Sequence, residues 1–320
     1  MERFKTVGKF LARLFISAAI LLWLFSRIDA AVVFGAFSRI PLPIWLVAFL
    51  LYLLSQVISS LRWFVIGCAL GFGGRFITYL KFYFVGMYFN LFLPSAIGGD
   101  VLKAFFLSKR GNGKLKATYS IFADRLFGLW AMFIIGALAV TIHDAALPSK
   151  WRNILFFLAL SMTIGALFMP FFKRFISRLY DSFKGKGGLA FKIVSALEYM
   201  LVFWKHPRSL FTALGLSLVL QFLGMTAAYL LGRGLGIHLD FAFYLSVLPL
   251  IAILTVLPIS FSGLGVREGG FIYFFHLRGV PLEKALALSL SVFAIQAAAA
   301  LCGGVGYMFG IHRKELEERS

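Results

Sequence analysis

Long runs with little charge dominate this chain. At 10–26, 44–68, 117–142, 152–172, 209–232 and 284–308 the residues are predominantly apolar. Each run is close to the ~20 residues that an α-helix needs to cross a bilayer. In lipid, a backbone must satisfy its own hydrogen bonds, so such runs have one common solution, the membrane-spanning helix. Hydrophobic residues make up 61% of the 320 positions and charged residues 14%, more apolar surface than a soluble domain can cover. The expected fold class is all-α: a polytopic integral membrane protein, one transmembrane domain over 1–320, with about six full spans.

The formal net charge is +19. In a membrane protein, Lys and Arg collect on cytoplasmic loops and orient the helices. With both termini inside, 22 of the 32 Lys and Arg lie on the cytoplasmic side, 7 lie outside and Arg62, Arg125 and Arg267 fall within segments. That bias predicts N-in, C-in. No RNA- or DNA-binding pattern accompanies the charge, so no nucleic-acid partner is expected. The N-terminus, basic and then apolar, reads as an uncleaved first helix. Cys68 and Cys302 sit in apolar runs and read as small packing residues. With no Cys/His cluster, neither a metal nor any other cofactor is expected.

The stretch 177–208 differs from the spans. It is polar and glycine-containing at first, then amphipathic, with Lys192, Glu198 and Lys205 among apolar residues. It is expected to be a cytoplasmic loop carrying an interfacial helix over 189–205.

Two further regions, 77–109 and 241–278, are apolar but broken. Residues 90–107 read NLFLPSAIGGDVLKAFFL. The arm after the break is about 11 residues, or ~16 Å, well short of the ~30 Å hydrocarbon core. A re-entrant hairpin is expected. In the second region PISFSGLGVREGG interrupts longer arms, so that a hairpin and two full crossings both remain open. Each region lies between two spans, and the two enter from opposite sides. Their breaks also share Leu-Pro, a serine, glycines and an acidic residue (LPSAIGGD and LPISFSGLGVRE). Paired interruptions in opposite-facing halves predict an inverted repeat with a site at the bilayer midplane.

Six charges lie inside or at the edges of apolar segments: Arg62, Asp100, Asp124, Arg125, Arg267 and Glu268. Each costs roughly 2.5–3.5 kcal/mol on insertion scales unless it meets a partner or water. One reading is an ion-paired core that fixes helix register, with Arg62 and Arg125 also able to snorkel to the interface. The other is a polar site for a charged headgroup. In that reading the proline breaks at Pro94 and Pro258 end the first arms, and Gly98, Gly99, Gly263 and Gly265 let the backbone bend. Ser95, Ser260 and Ser262 line the breaks, and the following helix N-termini suit phosphate. The arginines add bidentate recognition of phosphate, while Asp100 and Glu268 hold the arginines or carry a proton. Gln221 and Gln296 are expected to bond between helices, and the glycines at 232–236 and 303–306 to mark helix ends or close packing.

NLFLPSAIGGDVLKAFFL, ADRLFGLW (123–130), SLRW (60–63) and LPISFSGLGVREGGF (257–271) together resemble the lysylphosphatidylglycerol synthase transmembrane-region, or flippase-like, family. The resemblance covers nearly the whole chain. It implies a helical membrane domain that moves lipid headgroups between leaflets. Relatives include the membrane halves of enzymes that make and flip aminoacylated phosphatidylglycerol, and proteins associated with hopanoid and polyprenyl-lipid pathways. The motif positions it carries over are Arg62, Asn90, Pro94, Gly98, Gly99, Asp100, Asp124, Arg125, Pro258, Gly263, Gly265 and Glu268. The synthases add a cytosolic acyltransferase-like domain; here the sequence stops at GIHRKELEERS, so the expectation is a translocase and not an enzyme. Lys103 stands where the motif often has Arg, which keeps the charge but loses the planar fork. The expected function is a lipid translocase of the plasma (inner) membrane, its partner a phospholipid or polyprenyl-phosphate-linked lipid. The alternatives are an accessory subunit of a lipid-biosynthetic enzyme and a membrane-embedded lipid-phosphate transferase.

Overall fold

The structure, a computed structural model, describes residues 30–92, 98–111, 113–142, 147–184, 188–256 and 263–306. The first expected span (10–26) lies outside the described residues, as do Pro94, Ser95, Pro258, Ser260 and Ser262. The described residues form α-helices and connecting turns: α1 Ala30–Arg39, α2 Leu42–Ala69, α3 Phe76–Phe92, α4 Gly98–Ser108, α5 Gly113–Ile142, α6 Ser149–Phe168, α7 Lys173–Phe183, α8 Gly188–Lys205, α9 Pro207–Gly234, α10 Phe241–Val256, α11 Val266–His276 and α12 Leu282–Gly306. Five of them, α2, α5, α6, α9 and α12, are long and apolar enough to cross a membrane. They match the five expected spans within the described residues. The chain is a multi-pass membrane protein.

Local chemistry sets the ends. Prolines stand in the first turns of α2 and α9, where the missing N–H costs nothing. α2 stops at Leu70–Gly71: Gly71 takes φ 85°, and the Phe72 N–H donates to the Gly67 carbonyl at 2.9 Å. α9 stops in the same way at Leu235–Gly236, with φ 67° and Ile237 N–H donating to the Gly232 carbonyl at 2.9 Å. Both are Schellman ends that need a left-handed residue, which glycine supplies.

These matching ends belong to an internal repeat. Gly67 packs against Tyr79 and Gly232 against Tyr244, and both pairs are offset by 165 positions in sequence. After the second break the offset becomes 168: Arg110–Gly111 corresponds to Arg278–Gly279, and both glycines have positive φ. The units are α2–α3–α4–α5 and α9–α10–α11–α12. Their packing is two-fold: α3 lies on α12 as α10 lies on α5, and α2 contacts α12 as α9 contacts α5. The mates α2 and α9 run antiparallel, because Gly234 faces Ile40 and Ile44 while Ser217 meets Arg62. The repeat is therefore inverted.

Within each unit the broken pair is short. At 11 residues each, α4 and α11 are ~16 Å long, about half the ~30 Å hydrocarbon core. As described, α11 is thus no longer than α4. Glycines bring the hairpins close to their neighbours. A Cβ on Gly99 would collide with the Gly86 carbonyl of α3, and one on Gly303 with the Phe84 carbonyl, so α3 is held between α4 and α12. In α10, Pro249 leaves the Leu245 carbonyl without its helical donor, and Gly136 of α5 packs at that point.

Three expectations need correction or extension. Cys68 and Cys302 are exposed; they sit on outer helix faces, where lipid tolerates any small apolar side chain. The polar start of 177–208 is helical: the span ends at Phe168, and α7 begins at Lys173 and packs on α8. Ser177 Oγ donates to Glu198 Oε2 at 3.0 Å, and Tyr119 Oη to the Lys192 carbonyl at 2.8 Å, tying α8 to α5. The helix α1, not foreseen from the sequence, packs on α12.

Candidate functional site

The first break closes on a cluster of charges. Asn90, near the end of α3, accepts the Gly99 N–H on Oδ1 at 2.7 Å, capping α4 across the break. Only a residue without a side chain fits at 99, so the close α3–α4 approach requires Gly99. Asp100 follows in the first turn of α4, where a carboxylate is favoured by the helix dipole. Its two oxygens take different cations. Oδ1 lies 2.7 Å from Lys103 Nζ. Oδ2 accepts from Arg125 Nη2 at 2.9 Å and Nε at 3.0 Å.

Lys103 is buried. Its ammonium lies 4.5 Å from the Tyr83 ring centre and 5.7 Å from that of Trp63, both within cation–π range. It neutralises Asp100 from inside the protein. Lys103, a site candidate in the sequence, thus has its ammonium paired with Asp100 and packed on two rings.

From Lys103 the network continues to the centre of the bundle. Tyr83 Oη is 2.8 Å from Ser59 Oγ, and Ser59 Oγ accepts from Arg62 Nη2 at 3.3 Å. Arg62 Nε donates to Asp124 Oδ1 at 2.7 Å, and Nη1 donates to Ser217 Oγ at 3.0 Å. Trp63 Nε1 donates to Ser120 Oγ at 3.1 Å. Arg62 and Asp124 are both buried, so Arg62 does not snorkel. Asp124 and Arg125 are adjacent on α5, yet a turn of 100° per residue sends Asp124 to α2 and Arg125 to α4. Gly128, one turn on, leaves room for the Arg62 guanidinium, and Gln221 donates to the Gly128 carbonyl at 3.0 Å, bonding α9 to α5 as expected.

The second break has its own pair. Gly265 takes φ 83°, and its N–H donates to Glu268 Oε2 at 2.6 Å, the half of a capping box open to a glycine N-cap. Glu268 Oε1 accepts from Arg267 Nε at 3.0 Å and Nη2 at 2.5 Å, with Ser289 Oγ at 3.5 Å. The Arg267 guanidinium lies 4.6 Å from the Phe293 ring centre. Gly263, with φ 78°, packs against Thr255 of α10.

The described candidates therefore fall into two networks. Arg62, Asn90, Gly98, Gly99, Asp100, Lys103, Asp124 and Arg125 form one; Gly263, Gly265, Arg267 and Glu268 form the other. Among the described residues no ion pair joins them. Ser59, Trp63, Tyr83, Ser120, Ser217, Ser289 and Phe293 complete the networks, and the sequence reading missed them. One usable signal was the three-residue spacing of Ser59 and Arg62, which puts both on one helix face.

The family described as "Lysylphosphatidylglycerol synthase TM region" matches residues 10–304. A UPF0104 membrane protein of Pyrococcus horikoshii is 26% identical over 275 residues, covering 77% of this chain and 80% of the relative. No solved structure matches the chain. The motifs that suggested the resemblance are the breaks and the buried charges described above, and the family match runs through all of them: the chain belongs to the lysylphosphatidylglycerol synthase TM region family.

Proposed function

We propose that this protein is a lipid translocase of the plasma membrane, passing an anionic or phosphorylated headgroup through the polar network at the first break while the tails stay in the bilayer. The observation that carries the reading is the position of Arg125. Twelve residues along α5 from Gly113, it stands ~18 Å from the helix start, near the middle of a bilayer. Its side chain is 57% exposed, although the carboxylate that holds it is 10% exposed. A cation exposed at that depth is costly against hydrocarbon, which supports a polar headgroup as its partner. The inverted repeat supports the reading, since rocking of one unit against the other opens a midplane site to each leaflet in turn.

The test is reconstitution into vesicles with headgroup-labelled lipids. The wild-type protein accelerates exchange between leaflets, and Asp100→Asn slows it at least tenfold, with a lowered thermal midpoint because Lys103 loses its partner but an unchanged elution profile. A folded protein that accelerates exchange of no phospholipid or polyprenyl phosphate would rule the reading out. Flipping restored only by a co-purifying lipid enzyme would make the chain an accessory subunit, and a covalently altered lipid would make it a transferase.

A further inference from the structure

Between α6 and α7 the chain leaves its span, but the exposed apolar surface continues. Of the five spans α6 is the least buried within the protein. Phe157, Leu160, Ile164 and Phe168 are exposed at spacings of three and four, a stripe along one helix face that meets lipid. Phe171, 81% exposed, falls three residues after Phe168 and extends the stripe. Phe172 and Phe175, the latter 61% exposed, carry it onto α7. At 100° per residue, α7 has three sides. Ser177 and Tyr180 mark the side packed on α8, through the Glu198 bond and a stack on Phe191 with ring centres 5.9 Å apart; Ile176 is buried beside them. Phe172, Phe175 and the half-buried Leu179 form an apolar side. Arg174 and Arg178 lie next to Phe175 on the third. Lys173, Arg174, Arg178 and Lys184 are all exposed, and among the described residues none of the four forms an ion pair. These four against Asp181 leave three positive charges on 173–184.

We infer that α7 is an in-plane anchor whose partner is the anionic surface of the adjoining leaflet, the cytoplasmic one on the charge bias. Phe171, Phe172 and Phe175 lie among the upper acyl chains, and Arg174 and Arg178 reach the headgroups. The inference does not depend on the translocation reading and concerns a surface outside both networks. Two observations select lipid over a protein partner. The aromatic surface is continuous with the outer face of a span, where the neighbour is already lipid. Exposed aromatic side chains bordered by unpaired charges of one sign are also what an interfacial helix presents to anionic lipid. Because α6 and α8 hold α7 at both ends, its insertion is an intramolecular event and escapes the association cost that limits a free amphipathic helix. α8 is itself fixed to α5, by the Tyr119–Lys192 bond and by the Phe203 ring, 5.4 Å from that of Phe127.

The experiment measures depth in the full chain, with Cys68 and Cys302 replaced by alanine. Nitroxide labels at Phe175→Cys and Asp181→Cys are compared in vesicles of phosphatidylcholine alone and of phosphatidylcholine with one third phosphatidylglycerol. Collisions with oxygen, which concentrates among acyl chains, are set against collisions with a water-soluble nickel complex present on both sides. The oxygen-to-nickel ratio is expected to be at least fivefold higher at position 175 than at 181 in both kinds of vesicle. Phosphatidylglycerol should raise the ratio at 175 at least twofold, and Arg174→Gln with Arg178→Gln should abolish that rise, with elution profiles showing folded protein. Equal ratios at the two positions overturn the insertion of α7. A ratio at 175 indifferent to phosphatidylglycerol, or a rise that survives the double substitution, overturns the anionic partner. Spin–spin broadening at 175 that dilution with unlabelled protein removes would assign the surface to a second copy, and overturns the inference as well.

Discussion

Arg62 and Asp124 show what a buried charge does at the level of one residue. The pair joins α2 to α5, and its Ser217 bond adds α9. Attraction between such groups roughly offsets the cost of removing both from water, but removal of one partner leaves the full cost of the other, about 3–5 kcal/mol. Asp124→Leu is therefore expected to lower the thermal midpoint of the purified protein sharply, and Arg62→Met with Asp124→Leu to recover most of the loss. A single variant as stable as the wild type would show that the pair does not fix the bundle. The contrast is Arg125, whose carboxylate keeps Lys103 as a partner; its loss leaves no orphaned charge and should change stability little. Sequence marked all six charges as anomalous. It could not separate these roles, because the neighbours Asp124 and Arg125 meet helices that lie far apart in the chain.

At the level of elements, glycine decides how closely the hairpin arms pack. Gly99 faces the Gly86 carbonyl and Gly303 the Phe84 carbonyl, both on α3. Backbone cannot move aside as a side-chain tip can, so Gly99→Ala and Gly303→Ala should each destabilise by about 1–3 kcal/mol, the usual cost of overpacking. Gly165, in the last turn of α6 with open space around an added Cβ, is the control: alanine there gains helix propensity of about 0.5–1 kcal/mol. Thermal midpoints of the three variants check both signs, and a destabilised Gly165→Ala would refute the argument. The short lengths of α4 and α11 follow the same logic. The breaks were visible in sequence as Pro and Gly, but the longer apolar run of the second region concealed where its helix begins. Gly265 and Glu268 set that point, through a bond that closes only when the turn is formed.

For the whole molecule the inverted repeat makes a topological claim. Lys109 and Leu277 both follow the short arm of a hairpin, are both exposed and correspond through the 168-residue offset. Because the mates α2 and α9 run antiparallel, these two positions should lie on opposite faces of the membrane. In a background where the exposed Cys68 and Cys302 are replaced by alanine, Lys109→Cys and Leu277→Cys should react with a membrane-impermeant thiol reagent from opposite sides. Labelling of both from one side would break the repeat. The repeat was only partly legible: the Leu-Gly and Arg-Gly corners that establish it are two residues long, too short to stand out until their backbone geometry matches.

What the sequence determined by itself is the solvent and the punctuation. Runs of about twenty apolar residues admit little but membrane-spanning helices, since lipid offers the backbone no hydrogen-bond partners. Prolines and glycines place the ends and the breaks through backbone geometry that any neighbouring helix would leave unchanged. Pairing was decided by tertiary structure alone. Whether Lys103 meets a ligand or Asp100, whether Arg62 is buried and Arg125 open, and whether Glu268 mirrors Asp100 or differs from it depend on which helices lie side by side. That choice comes from packing between helices, over separations from 25 residues for Arg125 and Asp100 to 155 for Arg62 and Ser217, and a one-dimensional pattern carries no record of it.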